Sequence, residues 1–154
     1  MADPIVQIVH LEPMRVARIW AFGSSPEHLA WQKLAAWAGP QGLLAEGAGT
    51  RIFGFNNPNP SAGSPNYGYE YWITVTAEVA TNSETEIREF DGGLYAVMPF
   101  DLAAGDPGEI IPAAWRQLDT WLAESPYQPA HHQWLEAHTL QGIPYEVYYP
   151  VRPR

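Results

Sequence analysis

Two short segments of this 154-residue chain set a carboxylate two positions from an indole, Glu70-x-Trp72 and Trp134-x-Glu136. Side chains alternate along a strand, so residues two apart share a face. In the first segment Gly68, Glu70, Trp72 and Thr74 share one face, opposite Tyr67, Tyr69, Tyr71, Ile73 and Val75; in the second, Trp134, Glu136 and His138 lie opposite Leu135, Ala137 and Thr139. An ionised carboxylate in an apolar, ring-lined pocket needs a partner or hydrogen bonds to offset its desolvation. A cationic ligand supplies that partner, and stacking of a delocalised cation on Trp adds about 0.5 to 2 kcal/mol per contact. Rings beside a carboxylate give affinity without demanding one ligand shape, so the pattern points to broad binding of amphipathic aromatic or cationic small molecules. The competing reading leaves Glu70 and Glu136 as solvated residues on the open face of an ordinary sheet.

Other chemistries find less support. His131, His132, Glu136 and His138 are all metal-ligand types, but their spacing fits no strong motif, and on a strand His131 cannot share the face of His132, Glu136 and His138. No metal or other cofactor is expected. Gly47-Ala48-Gly49-Thr50 precedes a strand rather than a helix, so it is no phosphate cradle. A Gly-x-Ser-x-Gly elbow is absent, and Ser24-Ser25 is better explained as helix capping than as a nucleophile. With no cysteine, the chain has no disulfides, thiolate metal sites or cysteine nucleophiles, and redox chemistry does not decide its compartment.

A net charge of −9 repels a polyanion, which argues against direct nucleic-acid binding. Met1 to Pro4 leads into Ile5-Val6-Gln7-Ile8-Val9 with no basic stretch and no long apolar run, so neither a signal peptide nor a membrane span is expected, and a cytoplasmic location follows. Seven Trp, eight Tyr and five Phe are more ring surface than a core of this size usually needs, so some should line a cavity or interface.

The elements that must position these residues read as strand, helix, strand, strand, and then the same again. Residues 5 to 22 form two strand-like runs around Glu12-Pro13. Ser25 is the expected N-cap of a helix with Pro26 at its first position, closed by Gly39-Pro40. Strands over Arg51 to Asn57 and Tyr67 to Ala77 flank a loop rich in Pro, Asn, Ser and Gly. In the second half a hairpin from Glu86 to Asp101 turns at Asp91-Gly92-Gly93, and a loop spans Ala103 to Gly108. A helix from Ile110 to Glu124 and strands over His132 to Thr139 and Tyr145 to Val151 complete it. Trp31-x-x-Leu34-x-x-Trp37 recurs 84 positions later as Trp115-x-x-Leu118-x-x-Trp121, and each half ends in a Tyr-Glu pair, Tyr69-Glu70 and Tyr145-Glu146. This indicates an internal duplication. The expected fold is α+β, with two βαββ repeats over residues 5–77 and 84–152, pseudo-two-fold symmetry and one curved antiparallel sheet. Its helices should cover one face and leave a ligand groove on the other.

Nearly the whole chain resembles the GyrI-like small-molecule-binding domains, which also form the effector-binding portion of AraC-type and MerR-type regulators, the BmrR-like multidrug sensors among them. The resemblance is carried by Ala30 to Trp37, Phe55-Asn56-Asn57-Pro58, Tyr69 to Val75, Trp134-Leu135-Glu136 and, most specifically, Asp91-Gly92-Gly93-Leu94-Tyr95-Ala96-Val97 and Tyr145 to Val151. It implies that Glu136 is the acid that meets cationic ligands and that Trp31 touches ligand, whereas helical periodicity alone assigns Trp31 to the core. Ala137-His138 departs from the commoner family pattern, and His138 would tune the pocket's pH response. No helix-turn-helix fits beside the two repeats, so any contact with DNA would require another chain. The resulting expectation is a standalone binder with Glu136 and Glu70 as charge partners and Trp31, Trp72, Trp134, Tyr95 and Phe55 as pocket walls, His138 beside them. Two alternatives stand next to it. One is a hydrolase in which Glu70 or Glu136 activates water for attack on a strained electrophile; the other is a protein-interaction module of the gyrase-inhibitor type, with an acidic surface for a basic protein partner.

Overall fold

The computed structural model describes residues 5–154, so the expectation drawn from Met1 to Pro4 lies outside the described residues. The fold is α+β, with antiparallel strand pairing. Contacts divide it into two compact units.

The α1 unit comprises Met14–Phe90 and His138–Ile143. Strands β2 (Met14–Gly23), β3 (Ile52–Asn56), β4 (Tyr67–Thr74) and β5 (Glu86–Phe90) run antiparallel in the order β3-β4-β2-β5. Helix α1 (Pro26–Ala38) lays Ala30, Leu34, Trp37 and Ala38 on the face that carries Ala17, Ile19, Ala21, Ile52, Tyr69, Tyr71 and Ile73. Pro26 starts the helix as expected, but the Ser25 hydroxyl makes no capping bond, and only the Ser25 carbonyl accepts, from Leu29.

The α2 unit holds the described residues up to Pro13, Asp91–Ala137 and Pro144–Arg154. Here β1 (Gln7–Leu11), β6 (Gly93–Pro99) and β9 (Pro144–Pro153) pair antiparallel in that order, β7 (Tyr127–Pro129) also pairs with β9, and β8 (Leu135–His138) follows β9. Helix α2 (Pro107–Ala123) covers Ala96, Met98, Val147, Tyr149 and Val151 with Ala114, Leu118 and Leu122. Leu34 and Leu118, the middle residues of the two matching helix motifs, are both fully buried.

Several boundaries differ from those read in the sequence, for local reasons. α2 begins at Pro107, not Ile110, because the Asp106 carboxylate accepts from the Gly108 N–H and Pro107 needs no donor at the first helical position. The segment expected as loop from Ala103 also contains part of a single 3₁₀ turn, Leu102–Ala104, capped by Asp101. β8 is shorter than His132 to Thr139, because the His132 ring turns back to donate to the Leu94 carbonyl at 2.7 Å. β7 has three residues, too few to show alternation in sequence. Among the described residues no helix is long and apolar enough to cross a membrane.

Candidate functional site

In the α1 unit, the register of β2 and β3 on β4 assembles a charged group around Glu70. Arg18 sits opposite Trp72, Trp20 opposite Glu70, and Phe53 and Phe55 opposite Trp72 and Glu70. Glu70 is 1% exposed. It accepts from Trp72 Nε1 at 2.7 Å and Asn57 Nδ2 at 3.0 Å. Arg18 Nε lies 2.9 Å from its Oε1 without an aligned N–H, an ion pair rather than a directed hydrogen bond. Phe55 and Phe90 each pack on Trp72 with ring centroids 5.0 Å apart.

The face turned away from α1 carries aromatic side chains around this carboxylate. Phe53, Phe55 and Trp72 are all buried on it, and the carboxylate among them has a cation from β2. The structure places Glu70, Trp72 and Phe55 together.

Trp31 and His138 belong to a second cluster, on the α1 face. Trp31, half-buried, meets Tyr71 edge-on at 5.6 Å, and His138 packs against Tyr71 at 4.9 Å and Tyr69 at 6.0 Å. The Trp31 ring lies so close over Gly142 that a Cβ there would fall 2.6 Å from it, and Gly142 also has φ +81° in the turn after β8. Gly54 likewise leaves room for the Tyr69 ring. His138 Nδ1 is 3.4 Å from the Gly142 carbonyl and Nε2 is 2.9 Å from the Tyr69 hydroxyl. A carbonyl can only accept, so Nδ1 carries the proton and Nε2 accepts from Tyr69. Burial pushes the imidazole down to about 4, with the Gly142 carbonyl opposing that shift, and His138 is neutral at physiological pH.

In the α2 unit, Trp134 is turned toward the helix rather than away from it. Its ring centroid lies 4.2 Å from that of Tyr149 and 5.1 Å from that of Trp115 on α2, yet the residue remains 40% exposed. Tyr149 is held from below: burial and a hydrogen bond to Asp119 push its phenol up to about 12. Glu136 is half-buried, two residues from Trp134. Tyr95, by contrast, is fully buried on the side away from α2, donating to the Gln133 carbonyl at 2.5 Å and packing edge-on against His132 at 4.8 Å and Tyr148 at 5.6 Å. It pins the segment leading into Trp134. The two acid–indole pairs thus do not present matching faces, since Trp134 lies on its unit's helix side and Trp72 on the side away from its helix.

Among the described residues no three His, Cys, Asp or Glu side chains are grouped to hold a metal. Sequence reasoning missed Arg18, Asp119 and Tyr149 as site supports. Tyr149 stands in the closing strand already singled out, but Arg18 has no local signal and becomes the partner of Glu70 only through the β2–β4 register.

A family model described as an integron-associated effector-binding protein matches residues 7–151. No curated protein matches the chain. Among solved structures, the chain is similar to an integron cassette protein from the mobile metagenome of Vibrio cholerae, with 13% identity, a TM-score of 0.59, and coverage of 96% of this chain and 95% of that one. The C-terminal domain of EcmrR is 11% identical with a TM-score of 0.67, covering 98% and 99%. SAV2435, solved bound to tetraphenylphosphonium, is 14% identical with a TM-score of 0.54, covering 96% and 94%. At these identities the likeness shows the fold.

Proposed function

The chain belongs to the Cass2 family of integron-associated effector-binding proteins, and on that premise we propose that it binds amphipathic aromatic or cationic small molecules through Trp134 and Glu136. The observation that carries this reading is the exposed indole of Trp134, propped by Tyr149 and Trp115 beside the half-buried Glu136. Large aromatic surface left in water is costly, and a ring fixed by its neighbours stacks on a ligand with little loss of side-chain freedom. Glu136 adds the charge that a delocalised cation needs. In this reading the chain is one GyrI-like domain of two repeats, over residues 5–77 and 84–152. Trp31, Trp72, Phe55 and His138 belong to the α1 unit and Tyr95 to the α2 unit, and Glu70, already paired with Arg18, supports the fold more than the ligand. The similar fold of a protein solved with tetraphenylphosphonium makes that compound the natural probe.

Calorimetric titration with tetraphenylphosphonium tests the proposal. Glu136→Gln should weaken binding about tenfold, or about 1.4 kcal/mol, with the thermal midpoint unchanged. Glu70→Gln should instead lower the midpoint and leave the affinity of the folded fraction intact. Equal affinities for wild type and Glu136→Gln would remove the central residue from the proposal. Mass spectrometry of the recovered ligand distinguishes binding from hydrolysis, and an unaltered mass is expected.

A further inference from the structure

The outer face of α2 carries a feature that the ligand-binding reading does not use. Ala113, Arg116, Gln117, Thr120, Trp121 and Glu124 form one stripe along the helix and, with Ser125 and Pro126, line a hollow of about 710 Å³. Spacings of three and four residues put these side chains on a single face. Arg116, Thr120 and Glu124 are exposed and Trp121 is half-buried. Among the described residues the guanidinium of Arg116 and the carboxylate of Glu124 each lack an ion pair or hydrogen bond. An unpaired cation stands out in a chain of net charge −9 with eight Lys and Arg in total.

We propose that this face is a self-association surface, on which α2 packs antiparallel against α2 of a second copy about a two-fold axis through Thr120. The argument is the symmetry of the charges. Arg116 and Glu124 lie four residues to either side of Thr120, so reversing one helix against the other places Arg116 of each copy opposite Glu124 of its mate. Both pairs form together, as an isologous contact requires. An acidic partner of another kind would satisfy Arg116 and oppose Glu124, and a basic one the reverse. Thr120 is small enough for the close approach of 8–10 Å between axes that packed helices adopt. Trp121, beside the axis, supplies apolar area, and the hollow receives the partner's side chains. One helix face buries far less than the roughly 800 Å² per partner of a stable interface, so the association is weak and concentration-dependent.

The cysteine-free chain makes the axis directly testable. Thr120→Cys places two thiols at the crossing point, where Cα separations near 5–6 Å permit a disulfide. Under mild oxidant this variant should form a covalent dimer at protein concentrations where Glu109→Cys does not. In the proposed pairing the two copies of residue 109 would stand about 33 Å apart along the helices. Independently, sedimentation velocity should show that Arg116→Glu and Glu124→Arg each weaken self-association at least about tenfold, while the double reversal restores it to within about threefold. Cross-linking no faster at position 120 than at 109 would overturn the proposal, as would a double reversal no better than the single variants. Circular dichroism confirms that each variant is folded, and because Trp134 and Glu136 are untouched, ligand titration on the same proteins separates failure of this proposal from failure of the binding reading.

Discussion

At the scale of single residues, the chain carries ionisable side chains in contrasting environments. Glu70 is paired with Arg18 and accepts hydrogen bonds from Asn57 and Trp72, and Glu136 is half-buried two residues from an exposed indole. Both acid–indole pairs were legible in the sequence because two-residue spacing is local. That Glu70 has a cation was not, because Arg18 arrives through strand pairing across the sheet. His138 is the third case. Its folded-state pKa lies near 4, below the ordinary value of 6.5, so between those limits the unfolded chain takes up a proton that the folded chain refuses. Stability from this residue is therefore present above about pH 6.5 and lost as pH falls toward 4, to the extent of about 3 kcal/mol. Urea unfolding at pH 7.5 and pH 4.5 should show wild type losing more stability than His138→Gln by most of that amount. Parallel losses would mean that the imidazole is not held neutral in the fold.

At the scale of elements, turn chemistry decides where the aromatic side chains rest. Gly142 ends the turn after β8 at φ +81° under the Trp31 ring, so Gly142→Ala brings both a strained backbone and a clash with the indole. A cost of about 2 kcal/mol is expected, a fall of roughly 4–8 °C in a chain of this size. Differential scanning calorimetry measures it, and a shift under 1 °C would show that Trp31 moves aside freely. The strands and helices themselves were readable from periodicity and from Pro, Gly and Asp signals. The misreadings fell where a cap or a single hydrogen bond outweighed pattern, as at Asp106 and His132. Alternation reports which residues share a face but not that Phe55 and Phe90 both pack on Trp72 there.

At the scale of the whole molecule, the charge of −9 favours cations and disfavours polyanions before any specific contact forms. Raising salt from 0.05 to 1 M shortens the screening length to about 3 Å. The affinity for tetraphenylphosphonium should then fall several-fold relative to that for neutral triphenylphosphine oxide, measured by titration of the same protein. An unchanged ratio would mean that carboxylates contribute nothing to recognition. Composition, the repeated Trp-Leu-Trp motif and strand alternation by themselves determined the α+β class, the position of both helices and the pairing of each acid with its neighbouring indole, because each of these depends on residues close together in the chain. Only the tertiary structure decided that Glu70 is neutralised by Arg18, that Tyr95 is fully buried and that Trp134 remains exposed, because burial and ion pairing are set by strands whose register is fixed through distant partners.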